Sequence, residues 1–320
     1  MAMSIGKYFA IEKSPRKGLG PLEWSVLVYT VLTLLIVLFC STKVQQPDAM
    51  IWGRVRVMLI SFGMWAVYRF VPCRFTQFLG VLVQMLLLGW WYGDTYHLNC
   101  LFANQDHVVA TWDQAIFGFQ PALRFAEVYP QAWISEILEI AYACYFPIII
   151  MVCVFYFFAR YKEFERCCFV FMASFFTFYL IFDLFPVTGP MYYFKAIGMD
   201  KAVHGIFPSL GNYFQTHTEM LQAPGFHDGI GYALLQGIHG GESPTAAFPS
   251  SHVGITFECL LMAIHSRNKT LTLIVLPFTV LICFATVYTR AHYAIDSMMG
   301  LVAGLAFYLL WMWVSKKYKI

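Results

Sequence analysis

Charge is scarce in this sequence: 12% of its 320 residues are Asp, Glu, Lys or Arg, about half the share found in a soluble domain. The formal charge of +3 comes with basic residues scattered in small groups, which excludes the basic stripe of a nucleic-acid-binding surface. The nine cysteines contain no Cys-x-x-Cys pair. Most sit inside or beside apolar runs, so they are expected as small buried hydrophobes rather than as a disulfide framework or zinc site. No cluster with metal-ligand spacing occurs, and no metal or other cofactor is implied. Internal repeats, low-complexity tracts and Pro/Gly/Ser linkers are all missing. The stretch MAMSIGKYFAIEKSPRKG lacks the apolar core and cleavage site of a signal peptide and reads as a retained basic tail.

Apolar residues are abundant instead, at 59% of the chain with 18% aromatic and a mean hydropathy of +0.62. The composition is that of an all-α integral membrane protein, a multi-pass helical bundle. Runs long enough to cross a bilayer are expected at about 24–41, 55–71, 76–93, 133–158, 167–185, 252–266, 271–289 and 297–314, eight in all, with the short sixth run carrying Glu258. With the N-terminus inside, fourteen of the 21 Lys and Arg residues fall on inner segments. Arg54, Arg56, Arg124, Lys195 and Arg290 are among the outer seven. The asymmetry favours cytoplasmic termini and places two long segments, 94–132 and 186–251, on the outer side. The compact loops and short tails point to a bacterial inner membrane rather than the Golgi. The segment holding WDQAIFGFQPALRFAEVY has amphipathic spacing and is expected along the interface or as a packed loop.

Two outer stretches, FPSSHVGIT from Phe248 and YTRAHYAID from Tyr288, set histidines at the mouths of apolar runs. His292 and Asp296 are four apart and share a face if a helix begins there. A carboxylate that accepts one imidazole N–H fixes the tautomer and frees the other nitrogen as nucleophile or base. In the first stretch, Ser250 or Ser251 can cap a helix whose first-turn N–H groups favour an anion such as phosphate, with His252 beside them. Glu136 and Glu139 are candidates for lining a head-group cavity or for bonds between helices. His204, His217, His227 and His239 read as solvated loop residues.

These two stretches resemble the paired signatures of the type-2 phosphatidic acid phosphatase superfamily, Pro-Ser-x-His followed by His-x-x-x-Asp, through Pro249, Ser250, His252, His292 and Asp296. The resemblance departs from the phosphatase branch at Thr286, which stands where phosphatases carry an arginine, and that branch's first motif, a lysine followed by Arg-Pro, has no counterpart upstream of FPSSH. Three further stretches resemble the inositol phosphorylceramide synthase branch: FPVTGPMYY at 185–193, DQAIFGFQP at 113–121, and YTRAHYAID itself. The resemblance runs from about 94 to 310. It implies a six-helix catalytic core over 94–320, preceded over 1–93 by the tail and three accessory helices, the whole forming one membrane unit.

The resemblance further implies a double displacement that moves a phosphorylated head group from a phosphoinositol or related phosphodiester lipid to a lipid acceptor such as ceramide. His292, oriented by Asp296, attacks phosphorus, and His252 protonates the leaving alcohol and later deprotonates the acceptor. Arg290, Lys195 and Tyr192 are candidate substrate-binding groups beside Ser250 and Ser251, with an interfacial anchor as the alternative for each cation. A lipid phosphate phosphatase is the second reading, and a transporter or scaffold with structural histidines is the third.

Overall fold

A computed structural model describes residues 6–320; the first five residues of the basic tail lie outside the described residues. All regular structure among the described residues is helical: α1 (Gly6–Phe9), α2 (Pro21–Phe39), α3 (Pro47–Phe70), α4 (Arg74–Asn99), α5 (Asp106–Phe117), α6 (Pro121–Val128), α7 (Ala132–Ala143), α8 (Tyr145–Ala159), α9 (Tyr161–Leu184), α10 (Pro190–Ile197), α11 (Met199–Val203), α12 (Ile230–His239), α13 (Ser251–His265), α14 (Lys269–Tyr288) and α15 (Ala294–Lys317), with a short 3₁₀ turn at Tyr213–Gln215. Six of these (α2, α3, α4, α9, α14 and α15) are long and apolar enough to cross a membrane. The pair α7 and α8, bent by 49° at Cys144, is together long and apolar enough for a broken span or a re-entrant loop, and α13 is a shorter apolar helix. Each of the eight expected runs thus has its helix, and the protein is a multi-pass helical membrane protein.

The expected boundaries shift most at α3. Arg54, counted among the outer flanking cations, lies inside that helix and is 1% exposed. Its guanidinium donates to both Asp94 carboxylate oxygens at 3.1 and 2.7 Å, and to Thr33 Oγ1 and the Met50 carbonyl. An ion buried among apolar helices persists only when paired and fully hydrogen-bonded in this way. The pair ties α3 to α4, while Tyr29 of α2 stacks on Phe176 of α9 with ring centroids 4.4 Å apart. The three N-terminal helices are thereby held against the rest of the bundle.

At the centre lies α13, packed on α8, α9, α14 and α15. At about 1.5 Å per residue its 15 residues span about 22 Å, less than the roughly 30 Å of bilayer hydrocarbon. Its surroundings shield it from lipid, so the deficit costs little. Its two closest approaches to α15 matter to the site. A Cβ on Gly304 would lie 2.5 Å from the Gly254 carbonyl oxygen, and one on Gly300 would lie 2.6 Å from the Ser250 carbonyl oxygen. Glycine is required there because the backbones touch. The approach sets the two histidine-bearing ends side by side, with Ser250 N donating to the Asp296 carbonyl at 3.0 Å. Gly304→Leu is therefore expected to force the helices apart, lowering the thermal unfolding midpoint in detergent by the equivalent of about 1–3 kcal/mol and reducing turnover more than ten-fold. Wild-type melting and turnover in that variant would refute the packing argument.

The cysteines are all free thiols. Cys73, Cys153, Cys167, Cys168 and Cys259 are fully buried, while Cys40, Cys100, Cys144 and Cys283 are partly so.

Candidate active site

Three stretches distant in sequence meet above the α13–α15 contact: the start of α13, the turn between α14 and α15, and the loop from Gly240 to Phe248. Ser250 is the cap of α13, its Oγ accepting from Val253 N at 3.3 Å. Ser251 and His252 supply the first-turn N–H groups that precede the helix's first internal bond, Gly254 N to Ser250 O. His252 lies between two tyrosines, stacked on Tyr142 with centroids 4.7 Å apart and tilted at 41° to Tyr145 with centroids 4.4 Å apart.

His292 is 3% exposed. Its Nδ1 is 2.7 Å from the Ala247 carbonyl oxygen, which can only accept, so Nδ1 carries the proton and Nε2 presents its lone pair. Asp296, expected as the orienting group, stands further away, 3.5 Å from Nδ1. Its Oδ2 accepts from Tyr293 N at 2.8 Å. The backbone carbonyl is therefore the first orienting partner of His292, and the carboxylate stabilises the turn and sits behind the ring. Burial, opposed by the Ala247 hydrogen bond, lowers the His292 pKa to about 4, so the ring is neutral near pH 7. His292 Nε2 faces His252 Nδ1 at 3.4 Å.

Two aspartates of α5 hold this arrangement. Asp113 accepts from Ala294 N at 3.0 Å and Ile295 N at 2.8 Å, capping α15 immediately after the histidine turn; burial lifts its pKa to about 6. Asp106 accepts from Thr188 N and Oγ1, Gly189 N, Asn104 Nδ2 and Tyr293 Oη, at 2.5–2.9 Å. It thus joins the histidine turn to the VTGP stretch before α10. Gly189 adopts φ +93°, and a Cβ there would come within 2.4 Å of the Ala291 carbonyl oxygen, so only glycine lets that stretch lie against the turn. The segment expected along the interface is thus a pair of helices, α5 and α6, that brace the site, with Trp112, Phe117 and Phe119 exposed on it.

The cavity containing both histidines is lined also by Tyr92, Tyr142, Tyr192, Thr188, Glu242, Ser243, Thr245 and Ser251. It leaves about 20 Å³ open, room for about one water. Of the candidates, His252, His292, Ser251 and Tyr192 line it, while Ser250 and Asp296 are buried just behind it. Lys195 does not reach it and is exposed on α10. Arg290 does not reach it either: it has φ +65° and feels the opposite charge of Glu127, which lines a separate cavity of about 680 Å³ beside α6. No lysine or arginine is among the described residues lining the histidine cavity. Thr286 is fully buried, its hydroxyl 2.8 Å from Ser297 Oγ.

Several expectations for other residues change. His239 is not a solvated loop residue: it ends α12 at 2% exposure, edge-on to Tyr142 at 5.8 Å. His204, His217 and His227 are exposed. Glu136 and Glu139 do not line the histidine cavity; Glu136 Oε2 accepts from Gly231 N at 3.1 Å, and Glu139 Oε1 accepts from Ser135 Oγ at 3.0 Å. Glu136 thus fastens α12 to α7, while the Glu139 bond lies within α7. Glu242 was missed, because a lone glutamate in HGGESPT has no motif to mark it. No group of three or more potential metal ligands occurs among the described residues.

A family model described as PAP2 superfamily matches residues 107–312. No curated protein and no solved structure matches the chain. The match begins at α5 and includes both histidine stretches; α2, α3 and α4 lie outside it.

Proposed function

The chain belongs to the PAP2 superfamily, and on that premise we propose that it moves a phosphorylated head group, phosphoinositol in our reading, from a glycerophospholipid to ceramide through a phosphohistidine. Members of this superfamily are generally enzymes that act on phosphate esters, so the open choice is between transfer to a lipid and transfer to water.

The chemistry proceeds in two displacements. His292 Nε2 attacks phosphorus, the bond from phosphorus to the diacylglycerol oxygen breaks, and protonated His252 gives that oxygen its proton. His252, now neutral, takes the proton of the acceptor hydroxyl; the acceptor oxygen attacks phosphorus and the phosphorus–nitrogen bond breaks. The first-turn N–H groups of Ser251 and His252 and the positive end of α13 offset the single charge of the diester.

The observation that carries transfer over hydrolysis is the charge of the cavity. Thr286, at the position where phosphatases of the family carry arginine, is tied to Ser297, and the lining residues include a carboxylate and no lysine or arginine. A phosphomonoester dianion needs cationic partners for its second charge; a diester monoanion does not. The excess of inner basic residues supports a site facing the non-cytoplasmic side.

Purified protein in detergent, given fluorescent ceramide and phosphatidylinositol, is expected to form a phosphorylated ceramide product and diacylglycerol together. Release of inorganic phosphate from phosphatidic acid, with no lipid product from any diester donor, would establish the phosphatase reading instead.

A further inference from the structure

A groove of about 450 Å³ lies between α3 and α4, in the part of the chain that precedes the matched family segment. Its floor is one face of α4: Gly89, Trp90, Gly93, Asp94 and His97 follow at helical spacing and all line it. From Gly89 to His97 that face runs about 12 Å. The Trp90 ring is seated on Gly53 of α3, where a Cβ would come within 2.2 Å of its Cζ2, so a larger residue at 53 would displace the ring. Gly89 and Gly93 are the opposite case. Both are exposed, and a Cβ on either would meet nothing within 4 Å, so the groove is open along its length.

The polar groups gather at one end, because Gln46 precedes α3 and His97 lies in the last turn of α4; Gly89 and Trp90 lie deeper. At that end the Asp94 carboxylate lines the groove beside Gln46 and the Ser243 loop. His97 Nδ1 is buried there without a hydrogen-bond partner, a costly state that a ligand in the groove would relieve. No lysine or arginine is among the described residues lining it, and Arg54 is committed to Asp94, Thr33 and the Met50 carbonyl. A phosphate would therefore meet a carboxylate and no free cation, whereas O–H and N–H donors would meet acceptors. The same end adjoins the histidine cavity: Ser243 lines both spaces, and Tyr92, beside Gly93 in α4, lines the second. The histidine cavity itself has room for about one water, so the body of a second lipid must lie outside it.

We propose that the α3–α4 groove is the docking site of the acceptor, a neutral lipid whose polar end carries hydroxyl and amide N–H donors, with a chain laid along Gly89 and Gly93 and its hydroxyl presented past Ser243. The acceptor role rests on the transfer reading above. It gives the helices outside the matched segment a task in the reaction, and it separates the acceptor's approach from that of the phospholipid donor.

The test uses the full chain in detergent, wild type beside Gly93→Leu and His97→Ala, with thermal unfolding within a few degrees of wild type as the check that each variant is folded. In transfer from phosphatidylinositol to fluorescent ceramide, Gly93→Leu puts a side chain into the open groove and should lose about ten-fold or more in kcat/KM for ceramide. His97→Ala should lose about 3- to 10-fold, the worth of one hydrogen bond, and carries the test if Gly93→Leu does not fold. In a double displacement the donor's kcat/KM does not depend on the acceptor step, so the value for phosphatidylinositol should stay within two-fold in both. Photoactivatable ceramide reads the groove independently of turnover: its adducts should fall within 46–53 and 89–97, weaken in Gly93→Leu, and be competed by unlabelled ceramide but not by phosphatidylinositol. Adducts confined to other segments, equal competition by phosphatidylinositol, or an unchanged ceramide kcat/KM in both variants would overturn the groove while leaving the transferase reading intact. So would a Gly93→Leu protein whose particle mass changes in light scattering while its ceramide labelling does not, since the glycine face would then pack against a second copy. Absence of lipid product from every diester donor would remove the transferase reading, and with it the acceptor role of the groove, whatever the labelling.

Discussion

His292→Ala is expected to lower kcat by about 10⁴-fold or more, because it removes the nucleophile on which both displacements depend. That loss corresponds to about 5.5 kcal/mol of barrier. No other side chain among the described cavity residues can replace it: His252 has its own proton-transfer role, and its Nδ1 points at His292. His252→Ala should cost less, about 10²- to 10⁴-fold, the usual worth of a positioned acid or base. Rapid quenching at alkaline pH separates the two, since His252→Ala should still accumulate labelled phosphohistidine, slowly, and His292→Ala none. Turnover near wild type in His292→Ala would end the covalent mechanism. The pH profile checks the same residue. His292 must be neutral to attack, and burial places its pKa at about 4 rather than the ordinary 6.5. The nucleophile's limb should therefore appear as activity is lost below about pH 4, with none from this residue near 6.5.

Asp106→Ala is expected to have the second largest effect, and mainly on folding. Thr188 N and Oγ1, Gly189 N, Asn104 Nδ2 and Tyr293 Oη all donate to this carboxyl, and Asp106 itself is fully buried. Removing it leaves those donors in a water-poor interior at about 1–3 kcal/mol for each that finds no new partner, so a loss of about 3 kcal/mol or more is expected in detergent melts. Burial pushes the Asp106 pKa up while the hydrogen bonds from Thr188, Asn104 and Tyr293 pull it down. Asp106→Asn separates the two contributions: it preserves shape but turns an N–H₂ group towards donors, and should be destabilised by a similar amount. Turnover should fall with it, because Tyr293 adjoins His292 and Gly189 supports the Ala291 carbonyl. A variant that melts and turns over like wild type would show that the five hydrogen bonds do not hold the site.

Much of this arrangement was legible in the chain. The spans were, because lipid imposes a local rule on twenty residues at a time, and every expected run has its helix. The two histidine stretches were, because a Pro-Ser cap and a four-residue helical spacing are local. Asp113 lay within a recognisable stretch, but its task could not be read there: it caps a helix 181 residues away from it in sequence. The Ala247 carbonyl that fixes the His292 tautomer has no signature at all, since every residue carries a carbonyl. His239 looked like a loop residue because α12 is a short amphipathic helix inside a long polar segment, and only its packing on α7 buries it. Arg54 looked like a flanking cation because its partner Asp94 is forty residues away on the next helix.

By itself the sequence determined that this is a multi-pass helical membrane protein, and that His252 and His292 share one end of the bundle in a family of phosphate-ester enzymes. Hydropathy, caps and helical spacing act over a turn or a span, and so survive in the order of residues. Tertiary structure alone decided the character of the cavity: a neutral nucleophile held by a carbonyl, Thr286 closed on Ser297, Arg290 and Lys195 turned elsewhere, and Glu242 brought into the lining. Those properties depend on distances between α4, α7, α10, α13 and two loops, and the free energies of burial and hydrogen bonding that set them depend on separation in space rather than on separation along the chain.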